Sequence, residues 1–205
     1  MIFVKAHAEA ADSLTAKTYS VSGFPTFVII DSKGKEIDRI VGYMPAEDFL
    51  KQIDDYMNGI GTLDDLLAKA EAAPDRSLYF EIADKYKYRG GADEATTWFK
   101  KVIAEGEPTD SLSGEARFAL ADMKRRNKEF DAAIAEYKTI KKDFNGMALA
   151  ETAGLYIPYA TMKKGDTANA IIEFEKFIKE YPESEDVEYA TKKIGELKGE
   201  TTESK

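Results

Sequence analysis

Short apolar runs and amphipathic stretches alternate over the first sixty residues of the chain. Residues 2–6 are mostly apolar and predict a short strand, and residues 10–19 place apolar side chains at helical spacing. Residues 27–30 are apolar at every position, which predicts a strand buried on both faces, whereas the mixed residues 36–41 predict an edge strand. Residues 31–34 predict the hairpin turn between these two strands, because aspartate, serine and glycine all favour turns.

A helix of about a dozen residues is predicted to follow this hairpin. Gly42 ends the second strand, and Pro45 suits a first helical turn because that position needs no N–H donor. The apolar stripe of this helix is formed by Phe49, Leu50, Ile53 and either Tyr56 or Met57.

Two glycines mark a candidate domain boundary after this helix. Gly59 and Gly61 end one helix, and Thr62 with Asp65 three residues later predicts a capped start for the next. Pro74 is predicted to stop that second helix.

Three alanines recur at nearly constant spacing in the rest of the chain. Ala95, Ala133 and Ala170 lie 38 and 37 residues apart. Each is followed four residues later by an aromatic side chain, namely Phe99, Tyr137 and Phe174. A period of this length predicts repeated pairs of antiparallel helices.

The third repeat departs from the other two in one position. Ala83 and Ala121 precede Ala95 and Ala133 by twelve residues, but the equivalent position of the third repeat is Pro158. An interior proline costs roughly 3 kcal/mol, so we expect it to kink or shorten that helix. Residues 108–114 and 145–148 are expected to lengthen the connections, and residues 183–197 to form a terminal capping helix.

Residues 19–26, which read Tyr-Ser-Val-Ser-Gly-Phe-Pro-Thr, resemble the proline loop of the thioredoxin fold. The order of the predicted elements is similar to the C-terminal portion of that fold. The resemblance implies that the bond before Pro25 is cis, and that Phe24, Pro25 and nearby Gly42 contact an extended peptide. A purely structural role for the proline, which would fix a tight turn between helix and strand, is the alternative.

The first part of the thioredoxin fold has no counterpart in these residues. The chain contains no cysteine, and the first strand, the central strand and the helix that carries the Cys-x-x-Cys pair are missing. Phe3 and Val4 would flank the missing strand together with residues 27–30. Each unpaired backbone group costs on the order of 1–3 kcal/mol, so the sheet needs completion.

Three ways of completing the sheet are open. Phe3 and Val4 could pair directly with the next strand, two copies of the chain could complete one another, or the gene could encode further residues upstream. We expect the last for the gene product and a homodimer for the isolated chain.

The repeated helix pairs resemble the tetratricopeptide repeat, in which small side chains let two antiparallel helices approach closely. The resemblance implies a groove lined by the first helix of each pair, with an extended protein segment as its natural ligand. The residues expected there are Phe80, Asp84, Phe118, Asp122, Tyr156 and Tyr159. The alternative is that aromatic residues such as Phe118 or Tyr156 belong to the core.

Composition excludes several classes of function. The chain of 205 residues has a formal net charge of −9 with acidic residues in excess in both halves, which disfavours nucleic acid and anionic membranes as partners. Without cysteine and with one histidine, it offers no disulfide, no thiol catalysis, no usual zinc site and no cofactor site. Isolated His7 lacks a recognisable catalytic partner, so no catalytic residue is predicted.

Neither membrane insertion nor a targeting signal is predicted for this chain. No apolar stretch approaches the roughly 18 residues that a membrane span needs, and no targeting signal is recognised. Residues 173–183 faintly resemble repeats of bacterial envelope proteins, which favours a bacterial source and leaves cytoplasm and periplasm open.

The sequence therefore predicts a mostly α, α+β chain in which a partial thioredoxin-like α/β module precedes an all-α array of tetratricopeptide-like hairpins. The expected parts are residues 1–59 for the module, 60–75 for a connecting helix, 76–198 for three hairpins with a capping helix, and 199–205 for a frayed tail. The predicted function is a non-catalytic interaction scaffold that binds an extended protein segment. The alternative is a truncated thiol-disulfide oxidoreductase whose Cys-x-x-Cys pair lies upstream of Met1.

Overall fold

The computed structural model of the chain describes residues 13–199. Contacts divide it into two compact units, the first ending at Val102 and the second beginning at Ile103. The predicted strand at residues 2–6 and His7 lie outside the described residues, as do the last residues of the predicted tail.

The first unit begins with the elements of the partial thioredoxin-like module. Helix α1 spans Ser13–Thr18, strand β1 spans Thr26–Ile30, strand β2 spans Glu36–Val41 and helix α2 spans Ala46–Met57. The two strands pair antiparallel, and the predicted turn between them is confirmed: the Asp31 carboxylate accepts hydrogen bonds from the amides of Lys33 and Lys35. Gly34 has a φ of 80°, which favours glycine at this turn.

Burial in this hairpin differs from the sequence prediction, chiefly in β1. β1 was predicted to be buried on both faces, but Phe27 and Ile30 are 42% and 45% exposed. β2 was predicted to be an edge strand, and in the described sheet it does pair with β1 alone, yet it carries three buried residues, Asp38, Arg39 and Ile40. The reason is that the described sheet has two strands only, so β1 has no second neighbour to cover it.

Helix α2 covers this hairpin with part of its predicted stripe. Ile53 and Tyr56 are buried against Ile40, whereas Leu50 and Met57 are exposed. The stripe is therefore narrower than predicted, and Tyr56 rather than Met57 completes it.

Two further helices and most of a third complete the first unit. Helix α3 spans Leu63–Ala72, α4 spans Arg76–Tyr88 and α5 spans Ala92–Ala104. The predicted cap of α3 is confirmed, because Thr62 Oγ1 accepts a hydrogen bond from the Asp65 amide. α4 and α5 pack as a hairpin through two ring contacts, Tyr79 with Trp98 and Phe80 with Phe99.

The second unit consists of five helices over its described residues. They are α6 at Ser111–Arg126, α7 at Phe130–Asp143, α8 at Ala148–Lys163, α9 at Thr167–Glu180 and α10 at Val187–Lys198. Each packs against the next in chain order. The repeated small and aromatic positions are fully buried: Ala121, Ala133, Tyr137, Ala170 and Phe174. The predicted small positions therefore lie in the packed interior between helices.

Two expectations for this unit are corrected. Pro158 is buried inside α8, yet that helix has 16 residues, the same length as α6, so proline does not shorten it. The long connection predicted at residues 108–114 is partly helical, because Asp110 accepts a hydrogen bond from the Ser113 amide and starts α6 at Ser111.

A buried carboxylate joins the strands of the first unit to its helices. Asp38 is fully buried and accepts hydrogen bonds from the amides of Arg39 (2.7 Å) and Leu63 (2.8 Å), the latter at the first residue of α3. It also pairs with Lys85 Nζ at 3.0 Å and with the Arg89 guanidinium at 3.0 Å, both beyond α3 in the chain. One side chain of β2 therefore holds both α3 and the end of α4.

The second unit has a partly buried tyrosine at the end of α9. The Tyr181 ring lies 5.3 Å from the Phe177 ring, and it also faces Gly154 of α8, where an added Cβ would come within 3.1 Å. Burial, followed by the charge of Glu180, raises the pKa of Tyr181 to about 12.

We predict that Asp38→Asn destabilises the first unit by about 3 kcal/mol, because it leaves Lys85 and Arg89 facing an uncharged amide in a buried site. The measurement is urea unfolding followed by fluorescence of Trp98, the single tryptophan of the chain. The matched control is Asp55→Asn, since Asp55 pairs with the exposed Lys51 and should contribute under about 1 kcal/mol. Equal effects of the two substitutions would contradict the prediction.

We also predict that the stability of the second unit falls as pH rises from about 10 to about 12. The pKa of tyrosine is about 10 in the unfolded chain, whereas that of folded Tyr181 is about 12. The stabilisation is therefore complete below about pH 10 and is lost progressively as the pH rises toward 12. Tyr181→Phe should make the urea midpoint, followed by circular dichroism, less dependent on pH. The control is Tyr43→Phe, which removes a hydroxyl from an exposed ring of the first unit; an unchanged pH dependence in Tyr181→Phe would refute the assignment.

Candidate functional site

The proline loop between α1 and β1 is built as the resemblance implies. The Phe24–Pro25 bond is cis, and Thr26 Oγ1 closes the loop by donating a hydrogen bond to the Gly23 carbonyl at 2.8 Å. The Pro25 carbonyl accepts a hydrogen bond from the Gly42 amide at 2.9 Å. Pro25 and Gly42, which are far apart in the sequence, therefore lie side by side.

Two exposed aromatic side chains flank this hydrogen bond. Phe24, which precedes Pro25, is 70% exposed, and Tyr43, which follows Gly42, is 91% exposed. Among the residues that the structure describes, neither the amide nor the carbonyl of Phe24 has a hydrogen-bond partner. Sequence reasoning missed Tyr43, although an aromatic residue directly after the glycine was a usable signal.

A cavity of about 340 Å³ lies beside the loop within the first unit, since Val41, one of its lining residues, pairs with Thr26 at the end of the loop. β2 and the segment after it contribute Ile40, Val41 and Met44, and α4 contributes Phe80 and Asp84. Phe80 and Asp84 were predicted to line a repeat groove, whereas Gly42 was predicted to act with the proline loop. The structure places Phe80 and Asp84 in the lining of this cavity. Gly42 does not line it, although its chain neighbour Val41 does.

Charged side chains of α4 lie along one wall of this cavity. Lys85 Nζ donates to the Asp38 carboxylate and to the Tyr56 hydroxyl, at 3.0 and 3.1 Å. Asp84 pairs with Lys87. The Glu81 carboxylate is exposed and forms no ion pair or hydrogen bond with the residues between 13 and 199.

The remaining predicted groove residues lie in the second unit, where aromatic rings contact one another. The rings of Phe118 and Tyr156 are 4.9 Å apart, and those of Tyr156 and Tyr159 are 5.9 Å apart. Asp122 binds the guanidinium groups of both Arg125 and Arg126. Burial, and then the charge of Asp122, raises the pKa of Tyr156.

A second cavity of about 220 Å³ lies between α6, α8 and α10. Two predicted groove residues, Tyr156 and Tyr159, line it, whereas Phe118 packs against the buried core and Asp122 acts on the cavity through Arg125. The guanidinium of Arg125 lies 5.7 Å from the centre of the Tyr156 ring and 5.1 Å from that of Tyr159. The other lining residues are Leu155, Asp186 and Tyr189, which sequence reasoning missed.

The described residues contain neither a candidate metal site nor a helix that could span a membrane. Between residues 13 and 199, no three His, Cys, Asp or Glu side chains are grouped so that they could hold a metal ion. Within that range, no helix combines the length and the apolar character needed to cross a bilayer.

Comparisons with known proteins assign a family likeness to each part of the chain. Residues 4–57 match the family model of a thioredoxin-like domain, and residues 113–192 match the family model of an outer membrane lipoprotein that contains tetratricopeptide repeats. No curated protein matches the chain. Each match covers less than half of the 205 residues. The chain is therefore similar to a thioredoxin-like domain in its first part and to this repeat-containing lipoprotein family in its second, as both resemblances had indicated.

Proposed function

We propose that this protein is a non-catalytic interaction scaffold that binds an extended segment of a partner protein. The observation that carries the proposal is the 340 Å³ cavity beside the proline loop, to which Val41 and Met44 contribute from one side and Phe80 and Asp84 from α4. A concave site with apolar walls and a few polar groups is the usual form of a binding site.

The backbone at Phe24 supports an extended ligand. Its free amide and carbonyl can pair with a peptide backbone, as the thioredoxin resemblance implies for the residue before the cis proline. Phe24 and Tyr43 then offer aromatic surface to the side chains of that peptide, with Pro25 and Gly42 between them. The ligand runs along this loop toward the cavity.

The second cavity supports a further contact with the same class of ligand. Tyr156 and Tyr159 present ring surface there, and Arg125 is fixed over both rings by Asp122. We assign Phe118 a structural role, since it packs against the buried Tyr137. The aromatic and charged character of the cavity suits a protein segment rather than an apolar small molecule.

A second candidate function is part of a thiol-disulfide oxidoreductase whose Cys-x-x-Cys pair precedes Met1 in a longer gene product. The cis bond before Pro25 and the match to a thioredoxin-like domain favour it. Residues 1–205 contain no thiol, so they cannot exchange a disulfide themselves. Reduction of insulin by this chain would overturn the non-catalytic assignment. If the DNA in frame upstream of the Met1 codon encodes no Cys-x-x-Cys motif, the oxidoreductase is excluded.

We predict that peptides selected from a random nine-residue library bind this chain, and that Phe24→Ala and Tyr43→Ala each raise their Kd about tenfold, or 1.4 kcal/mol. Both side chains are exposed, so neither substitution should unfold the protein. Fluorescence anisotropy with labelled peptides measures the effect. Leu14→Ala is the control, because Leu14 is 71% exposed on α1 and lies outside the proline loop; an equal loss in that variant, or no selected binder, would contradict the site.

We further propose that the isolated chain forms a homodimer through β1. The motivation is that Phe27 and Ile30 are exposed on a strand with one neighbour only in the described sheet, and a two-stranded sheet is marginally stable by itself. Light scattering at micromolar concentration should then report about twice 22.8 kDa. Phe27→Lys should reduce the mass to that of one chain, whereas Ile172→Lys, on exposed surface of α9, should not. A monomer at all concentrations would exclude the dimer.

A further inference from the structure

The cavity beside the proline loop has room for one long side chain. Its volume of about 340 Å³ lies at the lower end of the range for ligand pockets, so it suits a single residue of a peptide rather than a larger molecule. Ile40, Met44 and Phe80 provide apolar surface. A long unbranched stem can lie against such surface while its polar end reaches another group.

The cations that line this cavity are already neutralised. Arg39 binds the Glu36 carboxylate at 2.6 Å, and Lys85 binds the Asp38 carboxylate at 3.0 Å. Arg39 also donates to the carbonyls of Tyr19 and Tyr88, and Lys85 donates to the Tyr56 hydroxyl. An acidic side chain that entered the cavity would find no free cation among these residues.

The carboxylates of the α4 wall are differently placed. Glu81 has no partner among the described residues, and Asp84 binds Lys87 through only one of its two oxygens. A wholly apolar side chain would cover these groups and remove their water without replacing the lost hydrogen bonds, which is costly. A cationic end group would supply the hydrogen-bond donors that they lack.

We propose that the cavity selects a lysine or arginine side chain of the partner's extended segment; this rests on the proposed function. The backbone of the segment lies on the side of Gly42 and Tyr43. The stem of the selected side chain crosses Met44 and Phe80, and its charged end binds Glu81 and Asp84 on α4. The cavity thus sets sequence specificity, whereas the loop at Phe24 binds backbone of any sequence.

The test uses fluorescein-labelled nine-residue peptides of alternating serine and valine that differ only at the central position. That position holds lysine, its uncharged analogue norleucine, or glutamate. In 50 mM salt we expect the lysine peptide to bind about tenfold more tightly than the norleucine peptide, and the glutamate peptide to bind most weakly. The advantage of lysine should shrink in 500 mM salt, because salt screens charge at an exposed carboxylate.

Matched variants locate the effect on α4. Glu81→Gln should reduce the lysine advantage to about threefold, because its uncharged amide attracts the ammonium group less strongly than the carboxylate does. Glu71→Gln, at an exposed position of α3 outside the cavity, should change neither affinity. Because Glu81 is exposed, equal urea midpoints for Glu81→Gln and the unsubstituted protein are expected and separate loss of binding from loss of folding.

The outcomes distinguish this inference from the function on which it rests. Equal affinity for the lysine and norleucine peptides, or a lysine advantage that survives Glu81→Gln unchanged, would overturn the lysine pocket and leave peptide binding intact. Failure of all three peptides, together with failure to select any peptide from the library, would overturn the proposed function itself.

Discussion

The first unit depends on one buried carboxylate. Among the described residues of this unit, Asp38 alone contacts the start of α3, the ammonium group of Lys85 and the guanidinium group of Arg89. A carboxylate without such partners would not remain buried, because its desolvation costs several kcal/mol. The same contacts fix α4 against β2, and the cavity beside the proline loop is formed where these two elements face each other.

Sequence reasoning succeeded where structure is set by local chemistry. The turn at Asp31, the cap at Thr62 and the small residues at Ala133 and Ala170 were predicted because each depends on neighbours within a few positions or on a regular period. The cis bond before Pro25 followed from the family resemblance rather than from the residues.

Sequence reasoning failed where burial depends on distant parts of the chain. The apolar run of β1 looked like a central strand, but its burial requires a neighbouring strand that the described sheet does not have, so Phe27 is exposed. Asp38 looked like an ordinary polar residue of an edge strand, because its partners Lys85 and Arg89 lie about fifty positions away. The candidate site was anticipated in part for the same reason: Phe80 was recognised, but the cavity that it lines together with Val41 and Met44 was not.

Lys85 both binds Asp38 and lines the cavity, and this double role has a thermodynamic consequence. Lys85 holds α4 to β2 through Asp38 and at the same time forms part of the cavity wall beside Tyr56, with its ammonium group 4.6 Å from the centre of the Tyr56 ring. Any molecule that fills the cavity adds contacts to elements that this ion pair already holds together. Occupancy and folding are therefore linked equilibria, and a bound segment raises the melting temperature of the first unit in proportion to the logarithm of its concentration over Kd. A ligand in the cavity would therefore stabilise β2 and α4 together, since both elements line it.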